Sequence, residues 1–398
     1  MNIVQDLLMN QIFEESLMTV DYYPDRRSLP SSSFKAATLQ PNGDYIIRIG
    51  APEAKRITII PEFGDPTPEG YGPWHDTPIA GIRDEQGVFT FNIPYSRYKT
   101  GVRNLDVYID GTLVIWPYLP ICWSGNRPVN FIEVPDPDMK FCYIQKVPHG
   151  AVSNELYWSE ERGKFERCVV YTPPGYMNGT ESYPVLYMLH GGGDNETSWI
   201  STGRANFIFD NLIAEGKCKP FIAVCVNNML RYHEGEATNH VDGCTEDVLL
   251  NSCIPYIESN YRVKRDKWNR ALCGLSLGAL MGCDCVLRHP EIFGNAGFFT
   301  SIFSHESYQN TLGRPWEDVL SHAEVLMNNY RVFFCSATPT EDHFPYFLND
   351  AKLLRDAGVE DNMPGYIREA HDKRFTRWCS WRIGLRDFAM LLFHEDGE

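Results

Sequence analysis

The sequence predicts an α/β protein: a doubly wound, mostly parallel sheet, preceded by a small all-β sandwich. Three observations predict it. Continuous apolar runs such as Val185–Leu189 alternate with helical stretches through the second half of the chain. Short runs of alternating hydrophobicity, separated by turns, fill residues 34–117. A strand, the turn Gly274-Leu275-Ser276-Leu277-Gly278 and a helix follow one another in that order. A chain of 398 residues is long enough for two domains of ordinary size.

Residues 1–33 read as a preface, with a short amphipathic helix over 5–17 and a linker over 24–33 that contains Ser31-Ser32-Ser33. Residues 34–117 carry strands at 44–49, 56–60, 88–93, 105–109 and 112–115. Asp110-Gly111 between the last two is a strong short-range hairpin signal. Several short strands without helical periodicity predict an Ig-like β-sandwich. Residues 118–150 are proline-rich and read as a connector that ends at Val147-Pro148-His149-Gly150. From 151 to 398 the βαβ rhythm takes over. The runs 165–171, Val185–Leu189, 221–226, 267–273, 332–335 and 365–369 read as strands, and several show no alternation. Strands of that kind are buried on both faces, as in a parallel sheet. Residues 246–260, 279–287 and 348–357 read as helices.

The charge balance excludes some functions. A formal net charge of −16 argues against holding nucleic acid or an anionic membrane, since both need a basic face. No apolar run approaches the roughly 20 residues that span a bilayer. The N-terminus lacks a positive n-region, so it is not read as a signal peptide, and the expected location is cytoplasmic. The 12 cysteines are scattered with no C-x-x-C pair. That spacing fits neither a zinc site nor a disulfide framework, so no metal or cofactor is expected and the thiols are expected to be buried and reduced.

The chemistry is expected at Ser276. A Gly-x-Ser-x-Gly turn between strand and helix is a nucleophile elbow, and its fold context is the α/β-hydrolase fold. The glycines are needed because the turn leaves no room for side chains. The helix that follows directs N–H groups at a developing oxyanion. His190-Gly191-Gly192-Gly193, directly after an apolar strand, supplies the other half of an oxyanion hole. The expected donors are the N–H groups of Leu277 and of Gly192 or Gly193. Chain order in this fold is Ser, acid, His. The acid belongs in the loop after strand 332–335, where Glu341 and Asp342 stand. The base belongs after the next helix and strand, where His371 stands. His289 reads as a helix-capping residue and His394 as a tail residue. Trp199, Asn228, Arg231 and Tyr232 follow strand ends and are expected to line the substrate site.

These residues resemble the esterase-D-like branch of the α/β-hydrolases, the family-1 carbohydrate esterases that include feruloyl and acetyl xylan esterases. The matching segments are Val147-Pro148-His149-Gly150, Tyr171-Thr172-Pro173-Pro174-Gly175-Tyr176, His190-Gly191-Gly192-Gly193-Asp194 with Thr197 and Trp199, the Ser276 elbow, and residues 378–393. The resemblance implies a Ser276–Asp342–His371 triad, with Asp342 favoured over Glu341 by the acid-to-base interval. It implies a small-molecule or oligosaccharide ester as substrate, and an N-terminal sandwich related to glycogen-binding modules. Such a sandwich could also support a homodimer. The chain departs from the family pattern at Ala279, in the Glu369-Ala370-His371-Asp372 context of the base, and in an acid loop that lacks its early glycine. Enterochelin esterases share the two-part layout. A non-catalytic glycan-binding protein is the contrasting reading, and the intact serine, acid and histidine oppose it.

Overall fold

In a computed structural model, the structure describes residues 37–62, 77–98, 100–230, 244–300, 324–339, 341, 343–371 and 377–394. The expected helix at 5–17 and its linker lie outside the described residues, as do Arg231, Tyr232 and Asp342. The chain divides into two compact units, Met1–Lys140 and Phe141–Glu398.

The first unit is two β-sheets over one core. One sheet runs β1 (Ala37–Leu39), β2 (Tyr45–Gly50), β6 (Val88–Ile93), β5 (Ile82–Arg83). The other runs β4 (Ile79–Ala80), β3 (Ile57–Pro61), β7 (Gly101–Ile109), β10 (Arg127–Val134), β9 (Ile121–Ser124), with β8 (Thr112–Val114) paired to β7. Alternate side chains point to opposite faces of a strand. Tyr45, Ile47 and Ile49 of β2 and Phe89, Phe91 and Ile93 of β6 therefore share one inner face. They meet Ile57, Ile59, Leu105, Val107 and Ile132 of the facing sheet.

The stretch 118–150 is not the connector its prolines suggest. It contributes β9 and β10 to the sandwich, and the division between the units falls after Lys140. The prolines are compatible because of where they stand. Pro120 precedes β9, and Pro128 lies where β10 pairs with β9, before its pairing with β7 begins at Asn130. Proline lacks an N–H and is tolerated at such positions. Fully buried Asn130 fastens the segment: its Oδ1 accepts from Trp116 N–H at 2.7 Å and its Nδ2 donates to Trp116 O at 2.9 Å. Trp116 is buried in the sandwich core, which leaves it no exposed face for a sugar.

The second unit is an α/β-hydrolase fold. Its sheet runs β11 (Ala151–Ser159), β12 (Lys164–Thr172), β14 (Ile222–Val226), β13 (Val185–Leu189), β15 (Arg270–Leu275), β16 (Asn295–Phe299), β17 (Val332–Ala337), β18 (Tyr366–Ala370). β11 and β12 are antiparallel to their neighbours, and the rest are parallel. β13 to β17 are buried along their whole length, as the unbroken apolar sequences of β13 and β14 require. The run 267–273 is part turn: Lys267–Asn269 is a 3-10 turn whose cap, Asp266, accepts from Trp268 N–H, and β15 follows it. β16 escaped the sequence reading because Asn295-Ala296-Gly297 has weak strand propensity. Gly297 stands there because a Cβ would lie 2.7 Å from the Phe388 ring, so the C-terminal helix (Arg377–Leu391) packs directly on the strand backbone. All 12 cysteines are buried, and none is in a disulfide. No helix among the described residues is long and apolar enough to cross a membrane.

The Val147-Pro148-His149-Gly150 segment is tied down by Asp210, which is buried in the helix Ala205–Ala214. Its carboxylate accepts from Tyr171 OH at 2.7 Å and Gly150 N–H at 2.9 Å, and meets His149 Nδ1 at 2.8 Å. Replacing Asp210 strips three buried or half-buried groups of their partner. Asp210→Ala is expected to cost about 3 kcal/mol in urea unfolding, and His149→Ala, at the half-exposed end, about 1 kcal/mol. Equal costs would show that the network does not centre on Asp210.

Candidate active site

Parallel strands deliver the ends of β13, β15, β17 and β18 to one edge of the sheet. Ser276 stands directly after β15 with φ 49° and ψ −123°, a strained conformation for a residue with a side chain. It is the N-cap of the helix Leu277–Arg288. The first N–H groups of a helix have no intrahelical acceptor and carry its positive end, so Leu277 N–H is available to an anion beside Ser276.

The two glycines show why the turn is possible. A Cβ on Gly274 would lie 2.2 Å from Gly278 O, and one on Gly278 would lie 2.4 Å from His190 O. The elbow is therefore closed on itself and pressed against the end of β13. Gly191 lies beside Ser276 Cβ, and Gly192 lies beside the Leu277 side chain. Among the described residues, none accepts a hydrogen bond from Gly192 or Gly193 N–H. The expected oxyanion donors, Leu277, Gly192 and Gly193, are thus brought to one place by the pairing of β13 with β15.

His190 and Asn228 hold that loop. Asn228 Oδ1 accepts from His190 N–H at 2.7 Å, and its Nδ2 donates to His190 O at 2.9 Å. Asn228 N–H donates to His190 Nε2 at 3.1 Å, so Nδ1 carries the ring hydrogen and donates to Gly191 O at 2.8 Å. Burial pushes the His190 pKa down to about 4, which keeps the ring neutral in this role. Asn228 was expected to line the substrate site. Its amide is buried and engaged with His190, so it supports the oxyanion loop instead. Trp199 is corrected in the same way. It is fully buried, donates from Nε1 to Leu189 O at 2.9 Å, and packs edge-on against Phe299 and Trp378. Arg204 is buried over the Tyr143 ring. His289 caps the nucleophile helix, as expected, and meets Glu246 Oε1 at 3.0 Å.

His371 stands directly after β18, and its N–H donates to Ala337 O at the end of β17. The ring is buried. Nδ1 meets Ser380 Oγ at 2.8 Å, and Nε2 lies 3.9 Å from Glu369 Oε2. No hydrogen bond joins it to Ser276 or Glu341 among the described residues. Glu341 is buried in the loop after β17, where its carbonyl accepts from Phe344 N–H. Three inter-strand spacings separate β15 from β18, about 14 Å at the sheet. Ser380, Glu369 and Asp387 were missed as neighbours of His371. One signal was present: Glu369 is two residues before His371 at the end of a strand, where alternation sets i and i+2 on one side.

The Esterase family model matches residues 159–362, just over half of the chain. The chain belongs to the Esterase family. Over 286 residues it is 34% identical to an endo-1,4-beta-xylanase/feruloyl esterase of Xylanibacter ruminicola, covering 70% of this chain and 38% of that protein. The chain thus spans well under half the length of that relative. A feruloyl esterase module from Clostridium thermocellum superposes with a TM-score of 0.52 at 20% identity, covering 66% of this chain and 94% of that one. The enterobactin esterase of Shigella flexneri superposes with a TM-score of 0.60 at 14% identity, covering 90% and 96%. At those identities the two structures establish the shared fold.

Burial, the dominant effect, pushes the His371 pKa down to about 4, with Asp387 opposing and Arg386 assisting. A base must be neutral, so its proton-acceptor form persists well below the ordinary histidine value of 6.5. The acid limb of kcat/KM is expected near pH 4–5, measured on an acid-stable ester. A limb at pH 6.5–7 would show a solvated imidazole. Between pH 6.5 and 4 the unfolded chain binds more protons at His190 and His371 than the folded one, so stability falls as pH falls through this window.

Proposed function

We propose that this protein is a serine carboxylic-ester hydrolase that releases hydroxycinnamic acids, feruloyl first, from plant-wall oligosaccharides. The observation that carries the reaction is the contact between the Ser276 elbow and the glycine loop 190–193. The acyl group is supported by the 34% identity to a protein named as a xylanase/feruloyl esterase.

In this reading His371 removes the Ser276 hydroxyl proton as Oγ attacks the ester carbonyl. The carbonyl electron pair becomes an oxyanion, held by Leu277 N–H and by Gly192 or Gly193 N–H. The carbon–oxygen bond to the sugar breaks, and His371 returns the proton to the departing alcohol. Water, deprotonated by His371, then cleaves the acyl-enzyme and releases the acid. Asp342 orients the imidazole and stabilises its charged form. In this reading the strain at Ser276 serves this step, as in a nucleophile elbow that exposes its serine at the top of the sheet.

Acetyl xylan ester is the nearest alternative substrate. The likeness to an enterobactin esterase favours a second reading, hydrolysis of a catecholate siderophore. An anionic catecholate would want exposed basic groups beside the serine. Arg204 is enclosed over Tyr143 and does not serve, which weighs against that substrate. The acidic net charge also weighs against nucleic-acid partners.

On 4-nitrophenyl acetate, Ser276→Ala is expected to lose about 10³-fold or more in kcat. Asp342→Asn should lose at least about 100-fold while Glu341→Gln stays within a few-fold. The reverse order would make Glu341 the triad acid. Activity on no ester at all, with glycan binding retained, would replace the hydrolase with a binding protein. In a panel of methyl ferulate, acetylated xylo-oligosaccharide and enterobactin, methyl ferulate should show the highest kcat/KM. A higher value for either of the others reassigns the acyl group.

A further inference from the structure

The surroundings of His371 are more elaborate than a resting base requires. Glu369 stands in β18 and His371 directly after it, with His371 Nε2 3.9 Å from Glu369 Oε2. Ser380 and Asp387 lie seven residues apart on the C-terminal helix, hence on one helix face. One ligand atom from each of Glu369, His371 and Asp387 can be chosen so that all three lie within 4.8 Å of one another. His371 is only 9% exposed, and among the described residues its Nε2 has no hydrogen-bond partner. Ser380 Oγ at 2.8 Å from Nδ1 fixes the ring with Nε2 facing the carboxylates. Arg386 forks onto Asp387 at 2.6 and 2.9 Å and neutralises one of the two negative charges. Among the described residues the group therefore keeps about one negative charge beside an unused nitrogen lone pair, although burial and then Asp387 push the Glu369 pKa up to about 6.

We propose that Glu369, His371 and Asp387 form a binding site for one divalent transition cation of the zinc type, and that its occupation holds His371 away from Ser276. One imidazole nitrogen and two carboxylates suit zinc, whereas magnesium and calcium prefer oxygen alone. Donors of a tetrahedral zinc site stand about 3.3 Å apart, so the widest separation here must close by roughly 1.5 Å. Glu369 can supply that movement: its side chain is 40% exposed, which also leaves an entry path for the ion. Ser380 would accept the Nδ1 hydrogen and orient the ring, the usual outer partner of a metal-bound histidine. With Nε2 on the metal, that lone pair cannot take the Ser276 proton. The inhibitory consequence rests on His371 being the base, whereas the site itself does not.

Two measurements on the untagged full chain separate these claims. Calorimetric titration with zinc chloride alone should find one site of micromolar Kd, weakened at least tenfold in Glu369→Gln and in Asp387→Asn, with magnesium chloride giving no heat of binding. Hydrolysis of 4-nitrophenyl acetate should fall at least tenfold in saturating zinc, recover with chelator, and need at least tenfold more zinc in each variant, relative to that variant's own zinc-free rate. Absence of zinc binding, or binding unchanged in both variants, overturns the site. Site-dependent binding with undiminished hydrolysis keeps the site and overturns His371 as the base. If the zinc-free protein hydrolyses no ester, the hydrolase reading fails and the calorimetry alone decides the site.

Discussion

The pairing of β13 with β15 is the constraint on which the rest of the site depends. In register, Leu189 stands opposite Gly274. One strand therefore ends in the glycine loop and its neighbour in the serine turn, side by side. Gly278 then meets the backbone of residues 189–190 so closely that no Cβ fits between them. Sheet hydrogen bonds, not flexible side chains, set the relation between nucleophile and oxyanion donors. Such donors act without reorganising as charge develops, which is where most electrostatic catalysis originates.

The strain at Ser276 is sustained by that same packing. A serine at φ 49° and ψ −123° persists only where its surroundings over-determine it. β15 is buried along its length on one side, and the helix Leu277–Arg288 is buried over most of its length on the other. His190 and Asn228 hold the facing loop through four hydrogen bonds between backbone and side chain. The tightly built half of the site is thus Ser276 with its oxyanion loop. The His371 half hangs from the edge strand β18, whose residues are at most half-buried. Under the proposed mechanism the base stands on this peripheral element, where the proposed cation would reach it.

The second unit was legible because buried parallel strands write themselves as unbroken apolar runs. Val185–Leu189 is matched residue for residue, and the Ser276 turn follows β15 as its motif requires. Legibility failed where packing overrides propensity. β16 contains a glycine that admits Phe388, and β10 tolerates Pro128 because the β7 pairing begins two residues later. It failed again at Trp199 and Asn228. Both follow strand ends, which sequence position alone identifies with a binding site. Yet one indole N–H caps the end of β13 and one amide clamps the glycine loop. Position along the chain indicates which edge of the sheet a residue reaches, not which way its polar atoms are directed.

The central claim is that Ser276 is an activated nucleophile beside a preformed oxyanion hole. Its most direct test is covalent capture with an aryl phosphonate ester, whose phosphoryl oxygen takes the place of the oxyanion. Intact mass spectrometry should show one adduct per chain, and peptide mapping should place it on Ser276. Labelling elsewhere, or no adduct on a folded and ester-hydrolysing protein, would contradict the account.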